Sequence, residues 1–177
     1  KENAQKRLEA IKDAKQKEKE AVRAAEDAIL NVFADSEAVQ REKLRVSYDR
    51  QIEDLKDKLA NEKNLTKKAR SAMNEEILAL ERAKEIVLQK FEDDSLSKRI
   101  DAEQKKIDLL LQTVKKGSDE EYQLKYQQLI KQQEAELHAA DIETATFEDK
   151  EAKKVAIKKK YGLLMDALSD EQDSNRI

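Results

Sequence analysis

The sequence contains no proline, no cysteine, no tryptophan and only two glycines in 177 residues. With so few breakers, almost nothing interrupts a helix. The absence of cysteine excludes a disulfide framework and a thiolate site. Aromatic residues make up 4% of the chain and charged residues 42%, so large side chains cannot supply an ordinary globular core. The strong helix formers that remain predict long helices or coiled coils.

Long apolar runs and a dominant charge sign are also missing. The longest unbroken apolar run covers residues 77–80, whereas a membrane-spanning helix needs about 20 residues. The net charge of −3 provides no large basic field for nucleic acid. We therefore expect no membrane span and no specific nucleic-acid partner. Because the chain starts at Lys1 without Met and is helix-like at once, we expect it to be a segment of a longer protein.

Apolar residues recur at helical spacing, which argues against the disorder that high charge would otherwise suggest. Residues 4–59 predict one helix with two successive apolar phases. The first phase comprises Val22, Ala25, Ile29, Val32, Val39 and Val46, and the second Leu44, Tyr48, Ile52, Leu55 and Leu59. Such a phase shift is typical of a stutter, in which the seam moves around an unbroken helix.

Pauses in this pattern predict where helices end. At 61–66, asparagines that tolerate the left-handed conformation precede Thr66, a candidate cap for the next helix. At 141–146 a second pause ends in Thr146, with Asp149 three residues later. At 93–95 the apolar phase shifts again, and the sequence leaves open a kink, a cap or a continuous stutter.

The stretch VKKGSDEEY predicts a tight helix junction at 115–118. Lys115 and Lys116 suit the last turn of a helix, and Gly117 suits the residue just beyond it. Ser118 and Glu121 form a capping box for the next helix. The second glycine, at position 162, lies inside a predicted helix. It is either a tolerated weak point or a place of close helix approach.

A short pattern recurs three times and predicts a packing stripe. Its copies are Leu44/Tyr48/Ile52/Leu55, Tyr122/Tyr126/Ile130/Gln133 and Ile157/Tyr161/Met165/Leu168. These offsets fall on one helix face. The pattern is typical of a degenerate helical repeat, although any amphipathic helix can show such a triplet.

No group of residues in the sequence predicts catalysis, a cofactor, a metal or a small-molecule substrate. His138 is the only histidine, and the chain has no cysteine to complete a metal site, so we interpret it as a surface or seam residue. The acidic clusters at 93–94 and 119–121 are interpreted as caps and solvated turns. The lysine cluster at 153–160 is interpreted as a solvated face, with an Asp149–Lys153 pair at its start.

Three stretches of the sequence share a charged helical character: YDRQIEDLKDKL at 48–59, NLTKKARSAMNEEILALE at 64–81 and VKKGSDEEYQLKYQQL at 114–129. Together they resemble the charged helical region of tail tape-measure proteins of tailed phages, especially those of prophages in Bacteroides-type bacteria. The resemblance spans roughly residues 40–140 and brings no catalytic residue with it. It implies a long helical protein in the tail lumen whose length sets tail length. It also implies a location in the virion tail, or in the bacterial cytoplasm during assembly, and contact with other phage tail proteins.

The sequence therefore predicts an elongated all-α protein of long amphipathic helices, paired in antiparallel hairpins or coiled coils. Helices with one apolar stripe need a partner, so self-association or oligomerisation is expected. The expected function is that of a non-catalytic spacer or scaffold. The alternative is a coiled-coil interaction module of a cytoskeletal or chromosome-associated protein, although the phase shifts disfavour its continuous heptads.

Overall fold

The computed structural model describes residues 2–62, 64–144 and 146–175, and within these ranges it contains helices and no strand. The helices are α1 (Glu2–Val32), α2 (Glu37–Asn61), α3 (Lys67–Thr113), α4 (Asp119–Glu143) and α5 (Phe147–Asn175). The predicted all-α fold is confirmed.

The expected single helix over residues 4–59 is wrong, because the chain turns between α1 and α2. The Ser36 N–H donates to the Phe33 carbonyl at 3.0 Å, and Ser36 has an extended backbone (φ −72°, ψ 130°) as the residue before α2. Serine suits this position, and Glu37 adds an acid to the first turn of α2. The apolar spacing from Val32 to Val39 continues across this turn, so it gives no sign of the break.

Helices also end at or near 61–66, 115–118 and 141–146, with Lys63 and Ala145 outside the described residues. The asparagines at 61–66 do not adopt the left-handed conformation, since no described residue other than glycine has positive φ. Glu62 instead closes α2 in an extended conformation. α3 runs without interruption through 93–95, so no helix ends or is capped there.

The chain divides into two compact units, Lys1–Gln89 and Lys90–Ile177, whose boundary lies inside α3. In the first unit, side-chain contacts join α1 to α2 and α2 to α3, and both pairs of helices run antiparallel. The second unit shows the same antiparallel order for α3, α4 and α5. Among these pairs, α4 and α5 have an especially close backbone approach.

Each unit has a narrow core. In the first unit the buried apolar side chains are Ile52 and Ile77, which lie on α2 and α3. In the second unit Ile100 and Ile107 on α3, Ala140 on α4 and Tyr161 on α5 are buried, together with the polar Ser95 and Thr144. So few buried residues leave much of the contact between helices to charged side chains.

Candidate functional site: polar contacts between antiparallel helices

Two cations of α1 bind an acidic cluster on α2. Lys19 Nζ lies 2.9 Å from Asp54 Oδ1 and 2.6 Å from Asp57 Oδ2. The Arg23 guanidinium donates to both oxygens of Asp54, at 2.8 and 3.1 Å, and to Glu53 at 2.5 Å. Hydrogen bonds from Arg23, and then from Lys19, lower the pKa of Asp54 to about 2. These bidentate contacts fix the register of α1 on α2.

One turn further along α1, the charges are exchanged between the helices: the cation lies on α2 and the acids lie on α1. Arg50 on α2 lies 2.9 Å from Asp27 and 3.1 Å from Glu26 on α1, and it also donates to the Arg23 carbonyl at 3.0 Å. Hydrogen bonding to Arg50 lowers the pKa of Asp27. Since each helix supplies both cations and acids, the α1–α2 pair is specified by an alternation of charge rather than by one basic and one acidic face.

The contact between α2 and α3 is also polar. Lys84 Nζ lies 2.8 Å from Asp49 Oδ1, and Lys56 Nζ lies 3.3 Å from Glu81 Oε1. At the end of α2, the Arg70 guanidinium donates to the carbonyls of Leu59 and Glu62, each at 3.1 Å. Those carbonyls have no partner within the helix, so Arg70 supplies both the missing hydrogen bonds and a favourable charge.

In the second unit, polar side chains also join α4 to α3. Lys131 Nζ lies 2.6 Å from Glu103 Oε2, which raises the pKa of Lys131 and lowers that of Glu103. The Gln128 amide donates to Asp108 at 2.7 Å. His138 Nε2 lies 3.1 Å from the Asp93 carbonyl oxygen. His138 is therefore a half-buried seam residue that joins α4 to α3.

The α4–α5 contact centres on Glu136. Its Oε1 accepts the Tyr161 hydroxyl at 2.8 Å and lies 2.6 Å from Lys160 Nζ, which is also 4.9 Å from the centre of the Tyr161 ring. Tyr161 is only 3% exposed. Burial, and then the hydrogen bond to Glu136, raise the pKa of Tyr161 to about 12. The contacts to Lys160 and then Tyr161 lower the pKa of Glu136.

Two further contacts align the ends of α4 and α5. Lys154 Nζ lies 2.6 Å from Asp141 Oδ1, and the Gln172 amide donates to Asp119 at 2.9 Å. The expected Asp149–Lys153 pair is not present among the described residues. Asp149 instead accepts the Thr146 hydroxyl at 2.5 Å. Because Lys154 and Lys160 bind acids of α4, the lysine cluster is not a solvated face alone.

The sequence-predicted cap residues lie at three helix starts. Thr66 Oγ1 accepts the Ala69 N–H at 3.1 Å, and Thr146 Oγ1 accepts the Asp149 N–H at 3.2 Å. Ser118 Oγ accepts the Glu121 N–H at 3.2 Å. Each hydroxyl therefore satisfies a backbone donor that has no partner within its helix.

The junction between α3 and α4 differs in detail from the prediction. Lys115 and Lys116 are not in the last turn of α3, which ends at Thr113. Gly117 lies in a separate turn, closed by the Ser118 N–H and the Lys115 carbonyl at 3.2 Å, and has φ of 76°. Glu121 Oε2 accepts the Gly117 N–H at 2.5 Å instead of that of Ser118, because the Ser118 N–H already donates to the Lys115 carbonyl.

The residues of the predicted packing stripe differ in burial. Ile52 and Tyr161 are buried, while Tyr48, Tyr126 and Met165 are half-buried. Ile130, at 39% exposed, is the most exposed of these six residues. Within the stripe, the rings of Tyr122 and Tyr126 stack, with 6.3 Å between their centres. A Cβ added at Gly162 would have no side chain and no other helix within 4 Å among the described residues, so close helix approach does not explain this glycine.

Within the described residues, no group of histidine and acidic side chains could hold a metal ion. None of the helices described there is both long and apolar enough to cross a membrane. Comparison of the chain with protein-family models, curated proteins and solved structures gives no match. Among the residues that the structure describes, the polar contacts between helices are the candidate functional feature.

Sequence reasoning did not find these contacts. The available signal was the block Glu53, Asp54 and Asp57 on one helix face, with Lys19 and Arg23 spaced to match on another. These two charge blocks can be paired only if the turn at 33–36 is known. That turn brings together residues that are about thirty positions apart in the sequence. Without that turn the two charge blocks lie on one straight helix and cannot meet.

Proposed function

We propose that this chain is a structural spacer or scaffold segment whose work is mechanical, and that it belongs to the tape-measure protein of a phage tail. The observation that carries the proposal is the construction of each unit. Successive helices run antiparallel, and polar contacts repeat along their length around a narrow core. Such a construction fixes the length and register of helices without enclosing a pocket.

Regular helices suit a spacer because their length follows residue number. α4 has 25 residues and therefore extends about 38 Å at the standard rise. Contacts near both ends of the α4–α5 pair, Asp119 with Gln172 and Asp141 with Lys154, keep the two helices in register over that length.

The identification with a tape measure rests on the resemblance of three stretches. In the structure, 48–59 lies in α2, 64–81 includes the start of α3, and 114–129 spans the junction from α3 to α4. These stretches include Thr66, Ser118 and Glu121, the cap residues of two helices. The resemblance therefore concerns how helices start and turn, which is the property a helical spacer needs.

The first test is the location of the chain. Tail particles are induced and purified from the source bacterium, and their peptides are identified by mass spectrometry. Peptides of this chain at the abundance of a tail component would support the proposal. Their absence from complete tails, with the protein present in the cells, would contradict it.

The second test is tail length. Residues 119–175 are deleted from the full-length protein in its phage, and tails are measured by electron microscopy. If these 57 residues form one extended helix inside the tail, their deletion shortens tails by about 85 Å. If the α4–α5 pair stays closed, they shorten by about half as much. Unchanged length in assembled tails contradicts a spacer role for this segment.

A further inference from the structure

The α1 helix contacts α2 through charged side chains and leaves its apolar stripe in solvent. Lys19 and Arg23, which meet α2, have side chains only 21% and 23% exposed. The apolar residues Leu8, Ile11, Val22 and Ile29 are 60%, 55%, 53% and 66% exposed. By helical geometry the stripe centre lies about 100° around the axis from the α2 contact. A second helix can therefore cover the stripe while α2 stays in place.

The stripe follows the alternating 3-4 spacing of a coiled-coil seam. Its positions are Leu8, Ile11, Lys15, Glu18, Val22, Ala25 and Ile29. The two charged residues stand together at its centre, and both are exposed. No ion pair joins either of them to another residue in the part of the chain that the structure describes. An apolar seam with an unmatched cation and anion at its centre needs a partner with complementary charges.

We propose that this stripe pairs with α1 of a second copy of the chain, in antiparallel orientation. When Lys15 faces Glu18 of the second copy, Ile11 faces its Val22 and Leu8 faces its Ala25. Each of these facing pairs occurs twice, because the two copies are related by two-fold symmetry. Apolar residues then meet apolar residues in four layers, and the two central layers become ion pairs.

The charges decide the orientation. In a parallel, in-register pair Lys15 would face Lys15 and Glu18 would face Glu18, which places like charges in two adjacent layers. Beside the seam, Arg7 would also approach Lys12 of the second copy. In the antiparallel register Lys12 approaches Lys19 of the second copy. That Lys19 is already paired with three acids of α2, which offsets the repulsion.

The first part of the test uses charge reversal in the full chain, with mass measured by sedimentation equilibrium. The unaltered chain forms a dimer at high concentration. K15E and E18K each place like charges in both central layers and weaken dimerisation by about tenfold or more. The double variant K15E/E18K restores it, and an equimolar mixture of the two single variants forms a heterodimer. The controls D13K and K17E lie away from the stripe and leave dimerisation unchanged.

The second part of the test uses cysteines, which the chain lacks. A mixture of L8C and A25C chains forms a mixed disulfide in the antiparallel pair, because those positions face each other. In that pair position 8 of one copy lies about 25 Å from position 8 of the other, so L8C alone gives no cross-link.

Three results would overturn the inference. One is a monomer at every concentration with native helix content by circular dichroism. Another is a dimer that K15E and E18K do not weaken. The last is cross-linking of L8C to itself, which indicates a parallel pair. The inference does not depend on the proposed function, since a chain found outside phage tails can still pair in this way.

Discussion

The Tyr161 hydroxyl and the Lys160 ammonium share one carboxylate oxygen, Oε1 of Glu136, at 2.8 and 2.6 Å. Tyr161 is buried in the α4–α5 contact, whereas Lys160 lies on its rim. The pair shows how an apolar contact and a charged contact combine on neighbouring residues to hold one helix against another.

Tyr161 is expected to be the most sensitive position of the α4–α5 pair. Y161F removes the hydrogen bond to Glu136 and lowers the free energy of unfolding by about 1 kcal/mol. Y161A also leaves a cavity and costs about 3–5 kcal/mol. Urea unfolding followed by circular dichroism measures both. L163A, at a side chain 64% exposed on the same helix, is the control and changes stability by less than about 0.5 kcal/mol. Equal effects of L163A and Y161A would contradict the described contact.

Alkaline pH is expected to destabilise the α4–α5 contact through Tyr161. Its pKa is raised from 10.0 to about 12, so the folded state holds this proton more tightly than the unfolded state does. The stabilisation is complete below pH 10 and is lost as pH rises through about 12. An absorbance titration of tyrosine checks this, because Y161F removes the component that titrates near pH 12. Loss of a component near pH 10 instead would show that Tyr161 is not buried as described.

Acid is expected to weaken the α1–α2 contact. Arg23 and Lys19 lower the pKa of Asp54 from 3.8 to about 2, so the unfolded state binds this proton more readily. The stabilisation is present above about pH 4 and is lost as pH falls toward 2. Since Asp54 is half exposed, D54N costs about 0.2–1 kcal/mol at neutral pH and reduces the loss of stability in acid. The urea midpoint as a function of pH measures both effects.

The matched control for D54N is K56Q. Lys56 pairs with Glu81 of α3, so its removal leaves the α1–α2 contact intact. We expect K56Q to leave the acid dependence of the urea midpoint unchanged, whereas D54N reduces it. If K56Q reduces it as strongly as D54N does, the α1–α2 network is not its source.

The two glycines are expected to respond in opposite directions to alanine. Gly117 has φ of 76°, which alanine adopts at a cost, so G117A destabilises the protein by about 1–2 kcal/mol. Gly162 lies inside α5 with no neighbouring atom to obstruct a methyl group, so G162A stabilises it by about 0.5–1 kcal/mol. Thermal unfolding of both variants in parallel measures the difference. Stabilisation by G117A would contradict the turn at 115–118.

Helix caps could be predicted from the sequence because their chemistry is local. Ser118 and its N–H donor are three residues apart, and the same holds for Thr66 and Thr146. The turn at 33–36 could not be predicted, because the apolar spacing runs through it. Its signal, a serine followed by an acid, also occurs inside helices.

Helix partners could not be predicted, because they depend on contacts between distant residues. Lys19 and Asp54 are 35 positions apart, and their meeting requires a turn that the spacing conceals. The apolar phase at Val22, Ala25, Ile29 and Val32 was expected to be a packing seam. In the folded chain α1 uses its charged face instead, since the ion pairs with Asp54 and Asp57 orient that face toward α2.

Successive helices fold back on each other, and a distance between α4 and α5 can be measured to establish this. Spin labels are attached at Q127C and D170C, both at exposed positions of α4 and α5. Their separation is measured by electron resonance in chains diluted with unlabelled protein, so that distances within one chain dominate. The antiparallel pair predicts about 10–20 Å, from helix axes about 8–10 Å apart. A continuous helix would place the labels about 65 Å apart, which would contradict the antiparallel pair.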